Sequence, residues 1–558
     1  MTHSILRRLA VTIFASALSA PPISAAVEPA DLVIENARIW SDGRAGFAAF
    51  AAVDDGAFVH VGERDESFIG PDTHRVDAQG RVVVPGLIDS HIHMLGGGLG
   101  LAQIQLRDAT SKDDFINRVR EWNTRLPEGR WLLGGRWSVE SWDQPESPTR
   151  EWVDPVTGDR PLFLSRMDGH SALANTAALR RAGITKDGPP DPVGGVIDRD
   201  PETGEPTGIL RESAMSLVSQ HIPPTSVDEK VEALHAAIDH ALAHGITAVG
   251  DIPGVSDLEA YERLAASSDE PRLRFFLYPT TGRWDLATTL ADRFAGRPGF
   301  VEVRGFKAYL DGSLGSRTAM MREPFLGNDP ERPNWRGLFR EGVENGAFER
   351  NVEAAAASGY QTITHAIGDK ANHYLLNTLE RKYEDLRAAR CRSEHAQHLL
   401  PEDIQRFGDL GVIASMQPYH KADDGRYAEA YIGPDRARSS YAFKSLLDAG
   451  AVVAFGSDWP VVTLHPFLGV EAAVTGRTLA GDDWQTQENI TVGEALRGYT
   501  TSGAYGVFAE DEIGRVAPGY RADFVILLES PFDAEPQWES IRPAAVYVDG
   551  RQVYDARR

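Results

Sequence analysis

The chain of 558 residues carries a single cysteine, Cys391. That scarcity excludes a disulfide scaffold and any cysteine-rich zinc module. Positive charge is also short: 57 Lys and Arg face 81 Asp and Glu, a formal net charge of −24. Such an excess of acid repels phosphate backbones and speaks against nucleic acid as a partner. After the amino terminus no apolar stretch reaches the ~20 residues that a membrane-spanning helix needs. A hydrophobic share of 42% and a charged share of 25% are ordinary for a globular chain and exclude disorder throughout. With cysteine nearly absent, a metal site must draw on His, Asp, Glu or a less usual donor.

What is present begins with an address. Arg7 and Arg8 precede an apolar run, Leu9 to Ala20, and Ser24-Ala25-Ala26 offers small residues for cleavage. Residues 1–26 therefore read as a cleavable signal peptide, and the run is too short to span a bilayer. The expected mature chain is exported, periplasmic where the host has two membranes, and carries −26 after losing two arginines.

Residues 27–84 hold short alternating runs, such as Leu32-Val33-Ile34 and Arg81-Val82-Val83-Val84, punctuated by Gly and Asp. Residues 512–558 repeat the style, with Asp549-Gly550 as a hairpin signal. Neither end can build a good core alone, so the two are expected to pair into one small β domain. Between them, over 85–511, strands and helices alternate, which argues for a parallel α/β sheet. Eight apolar strand candidates stand out: Val84–Ser90, Thr247–Asp251, Leu273–Tyr278, Val303–Leu310, Gln361–His365, Arg392–His395, Val412–Gln417 and Val452–Asp458. Eight such units predict an α/β fold of the (β/α)8 barrel type. Residues from about 100 to 240 hold five tryptophans and fit no simple unit. They read as a large insertion after strand one that covers the barrel mouth.

His91-Ile92-His93 ends the first candidate strand, where a period of two puts both imidazoles on one face. Two imidazoles so placed can grip one divalent ion. Alone the motif is weak. Yet His365, His395 and Asp458 lie at the ends of strands five, six and eight, and such ends converge on one mouth in a barrel. Lys307, near the end of strand four, is the odd member. A cation beside metal ions is unfavourable, so it must point away or change its charge. Carboxylation of its amine would give an anion able to bridge two metals.

The order His-x-His, Lys, His, His, Asp resembles the metal-dependent amidohydrolase superfamily. The phrases Asp311-Gly312-Ser313-Leu314-Gly315-Ser316-Arg317-Thr318-Ala319, His365-Ala366-Ile367-Gly368-Asp369 and Gly456-Ser457-Asp458 are similar to its amidohydrolase-3 branch, which includes N-substituted formamide deformylases. Asp168-Gly169-His170-Ser171-Ala172-Leu173-Ala174-Asn175 and Gly514-Arg515-Val516-Ala517-Pro518-Gly519-Tyr520-Arg521-Ala522-Asp523 are similar too. The resemblance covers nearly all of 31–558. It implies a (β/α)8 TIM barrel with a small composite β-sandwich from both chain ends. It implies that His91 and His93 bind the more buried metal, that carboxylated Lys307 bridges if two metals are present, and that His365 and His395 bind the second. Asp458 then touches the metal-bound water.

The expected activity is hydrolysis of a non-peptide C–N bond in an amide, formamide or N-acyl amine by a metal-activated water. Imidazole and oxygen ligands suit one or two Zn²⁺ first, with iron, manganese and nickel behind. Zinc lowers the pKa of its water toward about 7, and Asp458 serves as base and then acid. Rival readings keep the site for deamination, lactone hydrolysis or isomerisation, or make the chain an exported binding protein with an inactive site. Weaker expectations concern substrate contacts. His170 reaches a substrate oxygen, Arg317 receives a carboxylate or pairs with a nearby acid, and Asp311 orients the loop after Lys307 or meets substrate. Trp137, Trp142 and Trp459 line an aromatic pocket or pack. His398 lies behind the ligands or on a helix surface, and His420 and His465 carry no assigned role. The partner is a small molecule, and a homo-oligomer is compatible with the sequence.

Overall fold

A computed structural model describes residues 28–557, apart from 140, 141, 143–145, 167–170, 268–271, 281–289, 291–293, 295–299 and 328–332. The proposed signal (1–26) and His170 lie outside the described residues. Among the described residues no helix is long and apolar enough to cross a membrane.

The chain opens with β1 (Leu32–Glu35), β2 (Arg38–Ile39), β3 (Phe50–Asp54), β4 (Ala57–Gly62), β5 (His74–Asp77) and β6 (Val82–Pro85). Strand β7 (Leu87–Ile92) follows at once, and all six of its residues are buried. Next comes the insertion, with β8 (Ile104–Gln105), β9 (Leu132–Trp137), β10 (Leu162–Arg166), β11 (Ser171–Ala174), β12 (Gly195–Arg199) and β13 (Pro206–Glu212). These form one mixed sheet in the order β12-β13-β11-β10-β9-β8. The tryptophans explain why this region has its own core: Trp137, Trp142 and Trp152 pack with Phe115, Leu132 and Leu164.

The parallel series then continues through β14 (Ile246–Asp251), β15 (Arg274–Leu277), β16 (Val301–Val303), β17 (Gly305–Tyr309), β18 (Gln361–Ala366), β19 (Arg392–His395), β20 (Ile413–Met416) and β21 (Val453–Phe455). Their near-continuous burial is that of parallel strands covered on both faces. They make two sheets, β16-β15-β14-β7 and β17-β18-β19-β20-β21. Each sequence-derived strand candidate has a counterpart here, the fourth as the pair β16 and β17. Only Arg304 separates these two, and its amide donates to Leu277 O (3.0 Å) while its carbonyl accepts from Gln361 N (3.2 Å). The other edges approach beyond the strand ends. Asp458 N donates to His91 O (2.7 Å), and His93 N donates to Trp459 O (2.9 Å). Lower down, β7 meets Tyr499, whose carbonyl accepts from Ile88 N (2.7 Å).

The chain closes with β22 (Phe524–Leu527), β23 (Pro543–Val548) and β24 (Arg551–Asp555). These join the opening strands in a sheet ordered β2-β6-β22-β23-β24, beside a second sheet ordered β4-β3-β1-β5. Ile34, Val53, Phe58, Val83, Phe524 and Tyr547 share one core between them. Arg274 fastens β15 to this region: its guanidinium donates to Asp523 (2.8 Å) and Asp549 (2.7 Å).

Candidate metal centre

The carboxyl ends of the parallel strands deliver six of the expected side chains to one place. His91 lies one residue before the end of β7 and His93 directly follows the strand; the Nε2 atoms lie 3.5 and 3.2 Å from Asp458 Oδ1. Lys307, central in β17, directs Nζ to His91 Nε2 at 3.3 Å. The His395 ring lies 4.8 Å from that of His91 and 4.5 Å from that of His365, between centroids. His91, His395 and Asp458 each offer a ligand atom, all within 4.8 Å of one another.

Two local backbone features aim these groups. His395 has φ 77° and Asp458 φ 59°, left-handed values that L residues adopt rarely and that favour functional constraint. At His395 the strand's alternation breaks, so the neighbours Glu394 and His395 both face the cluster. Glu394 Oε2 accepts from His91 Nδ1 (2.5 Å), and Arg392 Nε donates to Glu394 Oε1 (2.7 Å). His395 Nδ1 donates to Gln417 Oε1 (2.7 Å), and His365 Nε2 donates to the Gly312 carbonyl (3.1 Å). These three imidazoles are thus tethered at one nitrogen, which leaves the other as the potential ligand, the arrangement that orients metal-binding histidines.

Burial sets the charges. It brings the His91 imidazole down to about 4, helped by Lys307, and His365 to about 3 by the same two causes. His395 is held well below its ordinary value by burial and by His365. All three are therefore neutral near pH 7, the form that binds metal. Burial alone would raise Asp458, but His91 and His93 beside it hold the carboxyl well below its usual range. Burial would likewise raise Glu394, and Arg392 and His91 overcome it. Lys307 is brought down to about 8 by burial. The donor set fits a divalent ion: neutral imidazoles and an ionised carboxylate converge, with their outer atoms already bonded.

Other expected residues fall elsewhere. Asp311 is fully buried, and its carboxylate accepts from the amides of Met320 (2.8 Å), Ile367 (3.1 Å) and Gly368 (2.8 Å). It therefore orients the loop after Lys307, and its Oδ1 also lies 3.5 Å from His365 Nε2. Arg317 meets neither an expected carboxylate site nor a described acid. Its guanidinium lies 4.2 Å over the Tyr431 ring, because its own backbone turns at φ 54°. Trp137 and Trp142 are packing residues of the insertion, with indole N–H groups bonded to Leu164 O and Ala109 O. Trp459 lines a cavity. His398 is buried and its Nδ1 accepts from Ser440 Oγ (2.7 Å), so it is no helix-surface residue.

Sequence reasoning gives no role to Glu394, Arg392 or Gln417, although Glu394 sits beside His395. The one signal for Glu394 is an acidic residue within an apolar strand, and period two points it away from the cluster. His420 also carries no sequence-derived role. Its ring stacks parallel to His395, 6.3 Å away, and its buried Nε2 has no hydrogen-bond partner.

The family comparison agrees with this geometry. The amidohydrolase-3 profile, described as Amidohydrolase family, matches residues 75–554. The chain belongs to the amidohydrolase family. This amidohydrolase is 38% identical to Protein LONG AFTER FAR-RED 3 of Arabidopsis thaliana, over 94% of this chain and 92% of that protein. It is 27% identical to an N-substituted formamide deformylase of Arthrobacter pascens, over 94% and 98% of the two chains. Among solved structures it resembles an uncharacterised metal-dependent hydrolase of Pyrococcus furiosus, with TM-score 0.72 and 26% identity over 90% of this chain and all of that one. The amidohydrolase-3 resemblance read from the motifs is thereby established, and with it membership in a family of metal-dependent hydrolases.

Proposed function

We propose that the chain hydrolyses a non-peptide C–N bond, in an amide, formamide or N-acyl amine, with one or two Zn²⁺ ions held by His91, His93, Lys307, His365, His395 and Asp458. The observation that carries this reading is the trio His91, His395 and Asp458, whose ligand atoms lie within 4.8 Å of one another. The formamide deformylase relative supports the bond type. The hydrogen bonds across both seams support reading the two parallel sheets as one closed (β/α)8 barrel, with the terminal strands as its composite β-sandwich.

When bound, the ion supplies Lewis-acid polarisation of a carbonyl and a water acidic enough to ionise near neutral pH. The chain's own residues do the rest. Asp458 stays ionised between His91 and His93, so its carboxylate can take a proton from the attacking water and pass it to the leaving nitrogen. Glu394, itself fixed by Arg392, holds the His91 proton on Nδ1. Lys307, whose amine burial brings down to about 8, is read as carboxylated: nitrogen bonds to the carbon of CO2 and one proton leaves, giving an anion that would serve as a metal ligand. Residues 1–26 are read as directing export.

Elemental analysis of purified protein, followed by a screen of N-formyl and N-acyl amines with and without chelator, tests this reading. Turnover that depends on stoichiometric bound metal is expected. Full activity after complete metal removal overturns it.

A further inference from the structure

A cavity of about 520 Å³, a volume within the range of small-molecule sites, is lined by Trp459, the residue directly after Asp458. Its walls are continuations of the segments that carry the cluster. The helix Met94–Leu101 begins directly after His93 and lends Gly96 and Gly97. The loop directly after Asp458 lends Trp459 to Thr463, and the helix Pro418–Asp424 lends Tyr419, next to His420. The opposite wall comes from β8 and β9 of the insertion.

The cavity's charge runs against that of the chain. Arg107 and Arg136 line it, in a protein with a net charge of −24. Among the described residues Arg107 has no hydrogen bond or ion pair, and Arg136 makes one long contact, Nη1 to Pro460 O at 3.5 Å. Asp423 is the one acid on the described lining, and its carboxylate is taken by Arg426. The backbone beneath Arg136 is also unusual. Gly134, Gly135 and Arg136 have φ of 116°, 105° and 56°, three left-handed residues in succession within a strand. A Cβ at Gly134 would lie 2.4 Å from Ile104 O, and one at Gly135 2.6 Å from Ser165 O. The glycines adopt such values freely, whereas at Arg136 they are strain of the kind that persists where the surroundings over-determine it, and here its result is a cation at the cavity rim.

We propose that this cavity receives the remote end of the substrate and that Arg107 and Arg136 bind a carboxylate there, which makes the substrate class an amide or formamide bearing a carboxylate away from the scissile bond. This rests on the hydrolase reading for the position of that bond. Guanidinium groups pair with carboxylates through parallel charge-assisted bonds, and two of them free of acids provide the donors.

The test uses the metal-loaded full chain. Binding of hexanoate and hexanamide is titrated, and turnover of N-formyl-γ-aminobutyrate is compared with that of N-formylbutylamine. The carboxylate member of each pair is expected to show a Kd or KM about tenfold lower. In the double variant Arg107→Gln, Arg136→Gln that ratio falls toward one, and the Lys pair, which keeps charge but loses the planar fork, falls between. Equal binding of hexanoate and hexanamide overturns the proposal. So does a carboxylate preference that survives the Gln pair, which would put the anion at the metal, or a preference for butyl phosphate over hexanoate. Arginine-dependent hexanoate binding without turnover of any N-formyl or N-acyl amine defeats the hydrolase reading instead, and metal-dependent turnover without carboxylate preference defeats this inference alone.

Discussion

Trp459 separates two regions built on opposite principles. On one side the donor cluster is largely buried, and three of its imidazoles are tethered: His91 to Glu394, His395 to Gln417, His365 to the Gly312 carbonyl. On the other side the cavity shows glycine backbone and exposed arginines with few partners. The difference follows from what each must do. A reaction centre needs atoms held in productive geometry by supporting bonds. A surface that selects substrates gains from leaving donors free until a ligand arrives, because a donor already paired offers little to a ligand.

The sharpest way to break this comparison is Asp458→Asn. Turnover is expected to fall about a thousandfold, within the 10²–10⁴ range of general acid–base catalysis, while elemental analysis still finds metal. Unchanged turnover removes Asp458 from the chemistry. Glu394→Gln probes the support instead of the donor. Metal affinity is expected to weaken about 10- to 100-fold, as for other partners of ligating histidines, read by competition with a chelator. An unaltered affinity means His91 is held without it.

Gly97→Ala attacks the boundary itself. A Cβ there would lie 1.9 Å from Trp459 Cζ3, so the indole or the helix must move. The expected cost is about 1–3 kcal/mol, typical of overpacking, seen as a lower Tm together with a shifted tryptophan emission. Wild-type values for both would show that Trp459 is not wedged between the regions.

The smallest effect concerns pH. Behind Trp459, the His240 ring stacks on the indole at 5.1 Å, and His244 and His465 continue the row. Burial brings His240 down to about 4, and burial together with Arg542 brings His465 to about 3. Their folded-state values lie below the unfolded one near 6.5, so the unfolded chain binds more protons between these limits. Stability therefore rises with pH through that window and is lost on acidification, by at most about 1.4 kcal/mol per pH unit for each histidine. Thermal denaturation between pH 7 and 5 should show the decline, and His240→Gln should flatten it; an equal slope in the variant refutes the assignment.

The strands and their donors are the legible part of the amino-acid order. Apolar runs ending in His91, His365, His395 and Asp458 announce strands with chemistry at one end, because parallel strands buried on both faces read as continuous hydrophobic segments. The insertion is less legible. Its short strands carry no simple period, and its mixed sheet is organised by a tryptophan core that sequence order does not reveal. Asp311 and Arg317 sit in a family-like phrase, yet one bonds the backbone amides of Ile367 and Gly368 and the other stacks on Tyr431, contacts made with residues far along the chain.

The amino-acid order thus settled the family and located the parallel strands and the side chains proposed as donors, since these depend on local periodicity and on residue chemistry. Tertiary structure alone decided that Glu394 turns inward beside His395 and that Trp459 lines the cavity while its carbonyl accepts from His93 N. It also decided that two arginines of the insertion face the same space. Those outcomes depend on left-handed residues and on approaches between segments hundreds of positions apart, which no local pattern encodes.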